Sequence, residues 1–282
     1  VIHGLFGRPF LDLSPYLDVT KGSHTLEATL SAIHEEVCRG LAEVPTDYTG
    51  GSHRSMGIMP PSRVDEALVD YGDVIAGFSP EQYEVFRALA DDPSSLPTSL
   101  PAHAPSFGEE RDHPLSRRQM LWLEQRFGVY FPWKVYFEMI PNRYWDEKSS
   151  ADGKDFTRLA KTFFPQTIAF VRSLPFQEIG RCNVMGLAAH DHGTAHRDGD
   201  PDEKKKVDHF ITICPAQNKT LFLWDEERRE KTAVTGPAYW FNDSDYHGVE
   251  AAPFFRYSIR VDGVFRPDFL AKLEREHGGV SS

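Results

Sequence analysis

No run of about 18 consecutive apolar residues occurs in this 282-residue chain, so the sequence offers no candidate for a bilayer-spanning helix and no membrane partner is expected. Cysteine is scarce. Cys38, Cys182 and Cys214 are odd in number and widely spaced, which excludes a disulfide framework and a closed zinc motif and suits a reducing compartment. No secretory signal pattern is visible, and a cytoplasmic location is expected, although the start at Val1 leaves an upstream segment open. Basic residues are in deficit: 31 Lys and Arg stand against 42 Asp and Glu, a formal charge of −11. Such a field repels phosphate backbones, so no nucleic-acid partner is expected. The one basic run, Lys204, Lys205 and Lys206, is ringed by Asp200, Asp202, Glu203 and Asp208 and reads as a solvated loop. Internal repeats, a GxGxxG fingerprint and a P-loop are all missing.

What is present is an ordinary globular composition, 40% hydrophobic and 12% aromatic, in a chain long enough for one β-rich domain with added elements. The texture divides near residue 115, predicting a helical and loop extension over 1–115 that packs on a core over 116–282. In the extension, Leu26, Leu30, Ile33, Val37 and Leu41 recur at helical spacing over about 25–42. A loop is expected over 45–62, a short helix over 80–89 with Ser79 as its N-cap, and an irregular segment over 93–107. Further on, 116–127 reads as helix and 134–140 as strand, and 156–174 reads as a helix that Pro165 should divide. After Pro175, short β-branched and aromatic segments alternate with turns: 179–187, 209–214, 220–224, 231–234, 238–241 and 254–264. That spacing predicts an all-β sandwich or barrel, and a final helix over 268–276 should stop at Gly278–Gly279.

The chemistry is concentrated in this β-rich half. His196 and Asp198 stand two residues apart, so on a strand they project to one side. His247 follows from a distant segment, completing two imidazoles and one carboxylate, the usual facial holder of non-haem Fe(II) in oxygenases. Nine residues on, Arg256 and Ser258 share a strand face; a guanidinium fork beside a hydroxyl suits the far carboxylate of a 2-oxoglutarate bound to the metal. Arg260 lies further along the same face and is a candidate for a substrate carboxylate.

The segment Phe241-Asn242-Asp243-Ser244-Asp245-Tyr246-His247-Gly248-Val249, followed by Phe255-Arg256 and Val261-Asp262, resembles the aspartyl/asparaginyl β-hydroxylase family, which carries a similar F-D-D-S-x-x-H-x-V run and then an arginine strand ending in V-D. The resemblance covers roughly residues 155–266; the first 115 match no family that we can name. It implies a double-stranded β-helix (jelly-roll, cupin-like) core with flanking helices. It also implies Fe(II) and 2-oxoglutarate as cofactors, with ascorbate as a possible reductant, and dioxygen-dependent hydroxylation with release of succinate and CO2. His196 and His247 correspond to the family's iron-binding histidines and Arg256 to its 2-oxoglutarate arginine. Asp198 supplies the carboxylate that some members lack, which speaks against a halogenase. The family often has R-x-H on the strand after the HxD turn; His209 matches that His as a co-substrate contact, but Val207 stands where the Arg belongs. The expected substrate is a small amino-acid-like molecule or biosynthetic intermediate, with desaturation or cyclisation open beside hydroxylation.

Two other readings stay open on the residues alone. One is a cupin-type metalloenzyme using His190, His192 and His247 without a keto acid. The other is a non-catalytic barrel that binds a ligand or partner. Trp224, Tyr239 and Trp240 read as barrel core before substrate platform, and Trp133, Tyr136, Arg143 and Trp145 stand where a substrate lid would arise.

Overall fold

A computed structural model describes residues 25–46, 71–100, 115–129, 134–142, 145–198, 208–234 and 236–277. Several expectations fall outside them: nearly all of the loop over 45–62, residues 101–107, Trp133, Arg143, the lysine run with its acidic neighbours at 200–203, Gly278–Gly279, and the side chains of Tyr136 and Trp145. The chain gathers into two compact units, one of residues 1–47 with 136–282 and the other of residues 48–135.

The smaller unit is helical: α2 (Tyr71–Ala76), α3 (Pro80–Ala88) and α4 (Arg117–Phe127). Ser79 and Ser116 each close a capping box, with Gln82 and Gln119 reaching back to the cap nitrogens. Two donors at each helix start are thereby satisfied locally. Phe86, Tyr83, Met120 and Leu123 form the buried centre, and the Phe78 and Phe127 rings stack at 4.9 Å. Gln119 is buried with its amide donating to the Phe86 carbonyl at 3.0 Å, so its polarity is matched rather than stranded.

The larger unit opens with α1 (Leu26–Glu43), then β1 (Lys134–Ile140), α5 (Arg158–Phe163) and α6 (Pro165–Ser173). Pro165 divides its helix as the sequence predicts: α5 ends at Phe163 and the proline takes the first turn of α6, where it has no N–H to satisfy. Phe164 caps α6 without a side-chain hydrogen bond. The missing cap comes from another helix. Glu36 of α1, buried at 5% exposure, accepts from the Gln166 and Thr167 amides at 2.8 and 2.7 Å and from the Thr167 hydroxyl at 2.7 Å. A carboxylate at a helix N-terminus meets both the orphan donors and the positive end of the dipole. Close approach of the two helices requires Gly40, where a Cβ would lie 2.5 Å from the Phe164 ring. Glu36→Ala strands those donors and is expected to cost about 2–3 kcal/mol, read as a lowered urea midpoint with an unchanged slope.

Eight strands follow: β2 (Phe176–Leu187), β3 (Gly193–His196), β4 (Phe210–Ile213), β5 (Leu221–Asp225), β6 (Glu230–Val234), β7 (Ala238–Tyr239), β8 (His247–Val249) and β9 (Arg256–Phe265), with α7 (Pro267–His277) after them. They form two antiparallel sheets, ordered β1-β2-β9-β4-β7 and β3-β8-β5-β6. Apart from the β1–β2 and β5–β6 connections, successive strands pass back and forth between the sheets, so the arrangement resembles a jelly roll, mixed with flanking helices. β9 lies at the centre of the larger sheet, between β2 and β4. On the face of its odd residues, the Tyr257 hydroxyl lies 3.0 Å from His34 Nδ1 of α1. By the period-two rule its even residues, Arg256, Ser258, Arg260 and Asp262, line the opposite face, and Ser258 there meets Lys219, just ahead of β5 in the smaller sheet. A buried strand face of two arginines, a serine and an aspartate is not a packing surface, since buried polar groups are tolerated only when partnered.

Candidate metal centre

β3 and β8 pair antiparallel with His196 directly opposite His247. This register brings the two imidazoles together, their ring centroids 4.3 Å apart. β3 ends at His196, so Asp198 lies just beyond the strand and not on it. Its placement comes from the chain ahead of β8: the Asp198 amide donates to the Asp243 carbonyl at 2.7 Å. Asp198 Oδ1 stands 3.4 Å from His196 Nε2 and 3.9 Å from His247 Nε2. One ligand atom from each of the three residues falls within 4.8 Å of the others, the only such group among the described residues.

Two of the three donors, His247 and Asp198, are held in their ligating form. His247 Nδ1–H donates to the Asp245 carbonyl at 2.9 Å, which leaves Nε2 with its lone pair toward the group. Burial, assisted by His196, pushes the His247 pKa down to about 3, so the ring is neutral at physiological pH, as a metal ligand must be. Burial opposes charge on Asp198, but the two imidazoles beside it outweigh that and hold the carboxyl well below its usual range. Two imidazoles and an ionised carboxylate converging on one point form the facial ligand set of non-haem iron oxygenases. This is the centre of an enzyme of that class.

Behind the group, Asp262 joins two buried guanidiniums: Arg181 Nε donates to Oδ2 at 2.9 Å and Arg260 Nε to Oδ1 at 3.0 Å. Burial disfavours charge on Arg260, but Asp262, Asp198 and Asp243 together raise its pKa, and its guanidinium lies 4.0 Å over the Phe210 ring. Arg260 therefore sits within the field of the metal ligands. Arg256 is bound differently. Its Nη1 donates to the carbonyls of Ala188 at 3.1 Å and Phe254 at 3.4 Å, and its Nη2 to those of Asp191 and Glu250. His209 is at the far end of β9, stacked on Phe265 at 4.7 Å and accepting the Phe265 amide at Nδ1, 3.0 Å away. Arg256 and Phe265 are nine residues apart, roughly 30 Å along a strand, so Arg256 and His209 are not brought to one small ligand.

His190 is exposed, with a left-handed φ of 68°, and does not join the His247 group. Trp240 and Tyr239 are buried at 1% exposure each, the indole donating to the Asp208 carbonyl at 3.1 Å; they are core, as expected. Sequence reading missed Lys219 altogether. Asp262 was visible only as part of the family-like pattern, since nothing in a single chain marks which arginine will meet which aspartate.

No known family profile matches the chain, and no curated protein does. Among solved structures, a prolyl-4-hydroxylase from Pseudomonas putida is similar at 11% identity and a TM-score of 0.26, over 39% of this chain and 66% of that one. An oxidoreductase of the 2OG-Fe(II) oxygenase family from Burkholderia pseudomallei is similar at 11% identity and a TM-score of 0.29, over 46% and 69%. A cupin 2 conserved barrel domain protein from Salinispora arenicola gives 12% identity and 0.22, over 36% and 73%. Likenesses this slight decide nothing here; the class rests on the donor set itself. No helix among the described residues is long and apolar enough to cross a membrane.

Proposed function

We propose that the chain is an Fe(II)- and 2-oxoglutarate-dependent dioxygenase on a double-stranded β-helix core, acting on a small amino-acid-like or biosynthetic-intermediate substrate. The observation that carries this is the convergence of His196, Asp198 and His247 within 4.8 Å. Iron(II) bound there with 2-oxoglutarate and dioxygen supplies the oxidising power for hydroxylation, with succinate and CO2 as co-products. The protein's own part is positional. The two Nε2 atoms and one carboxylate oxygen would hold the metal, and the Asp245 carbonyl fixes the His247 tautomer. Burial of both histidines, at 1% and 2% exposure, keeps bulk water from the ligand side. The cationic face of β9 draws carboxylates toward the metal, and Arg260, felt by Asp198, orients an anionic ligand near it.

Anaerobic addition of Fe(II) and then 2-oxoglutarate to the apo-protein tests this. A visible charge-transfer band that appears in wild type and is lost in His196→Ala supports the reading. Metal binding that is indifferent to 2-oxoglutarate transfers support to a cupin-type metalloenzyme, and no metal binding at all to a non-catalytic barrel.

A further inference from the structure

Lys219 is buried, at 6% exposure. Its ammonium donates to the Ser258 hydroxyl at 2.7 Å and approaches the Met185 carbonyl at 3.5 Å, and both partners are neutral. The ionisable groups that bear on it are Cys214, Arg256 and Arg260; no carboxylate of the described residues is among them. Burial, aided by the two guanidiniums, draws its pKa down to about 8, so it still carries a proton at neutral pH. A buried cation beside other cations is costly unless an anion accompanies it, and a lysine placed there points to an anion that arrives with function.

The alternative cation, Arg256, is committed. Both of its terminal nitrogens donate to main-chain carbonyls, of residues 188 and 191 on one side and 250 and 254 on the other. Those four bonds occupy the two terminal nitrogens, the end-on fork that would otherwise grip a carboxylate, and leave only Nε without a hydrogen bond among the described residues. They tie together the segments that follow β2 and β8. Ser258 lies one same-face step nearer than Arg256 to Arg260, the residue whose charge reaches Asp198. Lys219 belongs to the same wall as the metal ligands, four residues before Leu223, which pairs with His247.

We infer that Lys219, with the Ser258 hydroxyl beside it, is the group that holds the far carboxylate of the keto-acid co-substrate, and that Arg256 is a latch for the loops around it. The inference rests on the proposed function and names the co-substrate's anchor within it. It makes the site selective for a dicarboxylate over a 2-oxo acid with a single carboxylate.

The experiment is calorimetric binding of 2-oxoglutarate and of 2-oxopentanoate, which lacks the far carboxylate, to protein loaded with Mn(II) without oxygen. Wild type is expected to favour 2-oxoglutarate by roughly 10- to 100-fold, the worth of a charge-assisted hydrogen bond. Lys219→Met should erase that preference, leave Mn(II) affinity unchanged, and raise the melting temperature of the ligand-free protein because an unpaired buried charge is gone. If Lys219→Met does not fold, Lys219→Gln, which keeps a donor for Ser258 but no charge, takes the same measurement. A full preference retained in the lysine variants but lost in Arg256→Gln overturns the inference and returns the anchor to Arg256. A wild type that binds Mn(II) and neither keto acid overturns the co-substrate reading itself, and this inference with it.

Discussion

Asp198→Ala is expected to bind Fe(II) at least about 100-fold more weakly than wild type, since losing even an outer partner of a metal ligand costs 10- to 100-fold. Succinate formation should fall to background at any iron concentration that the assay tolerates. The variant keeps two histidines whose mutual placement is set by the β3–β8 register, so the remaining pair stays assembled while its anionic member is missing. Equilibrium dialysis with Fe(II) under anaerobic conditions, on protein shown to be folded by circular dichroism, measures the effect directly. An Asp198→Ala protein with wild-type iron affinity would remove Asp198 from the ligand set. Asp198→Asn separates shape from charge. The amide keeps an oxygen but not the negative charge that half-buried Asp198 retains in the native chain, and its iron affinity should lie between the two.

Asp262→Ala is expected to produce the largest loss of stability. Arg181 and Asp262 have side chains only 1% and 2% exposed and approach to 2.9 Å, and Arg260 shares the same carboxylate at 3.0 Å. Removing the aspartate leaves two buried guanidiniums without their anion, for which about 3–5 kcal/mol is the usual cost of one broken buried pair. In a chain of this size that corresponds to roughly 10 °C in melting temperature. A double replacement, Arg181→Leu with Asp262→Leu, should recover part of the loss, because the pair's attraction only offsets what both charges lose on leaving water. The acid limb carries a second signature. Burial opposes ionisation of Asp262, but Arg181 and Arg260 outweigh it and lower its pKa below the ordinary value. A depressed carboxyl pKa contributes stability that is complete above the unfolded value and is lost as pH falls through the folded one. The difference in stability between wild type and Asp262→Ala should therefore be constant near neutrality and shrink below about pH 4. A difference that stays constant down to pH 2 would show that the carboxylate's charge contributes little.

The local elements were largely legible in the chain. Ser79 and Pro80 announce α3, Pro165 splits α5 from α6, and the strands β2, β4, β5, β6 and β9 fall within a few residues of the segments read from β-branched and aromatic clusters. Those features depend on backbone sterics and on side-chain periodicity, which neighbouring residues determine among themselves. α2, with six residues over Tyr71–Ala76, was not read, because one and a half turns give too few positions for a 3.6-residue period. β3 and β8 are four and three residues long, too short to show alternation, and they exist as strands chiefly because they pair with each other and with β5.

The sequence by itself determined the identity of the metal donors: HxD followed by a distant His is a choice of chemical groups, and the donor set follows from which groups those are. It also determined that Arg256, Ser258 and Arg260 share a face, since alternation along a strand is local. What each of those residues does there was decided only by tertiary structure. Asp198 converges with the histidines through a main-chain bond to Asp243, 45 residues away, and not through strand alternation. Arg256 and Arg260 have the same side chain on the same strand, yet one is spent on loop carbonyls and the other on Asp262 beside the metal ligands. Lys219 resembles any surface lysine in the chain until the two sheets close over it. The reason is the same in each case: a charged group's role depends on its solvation and its partners, and both are fixed by segments far away in sequence.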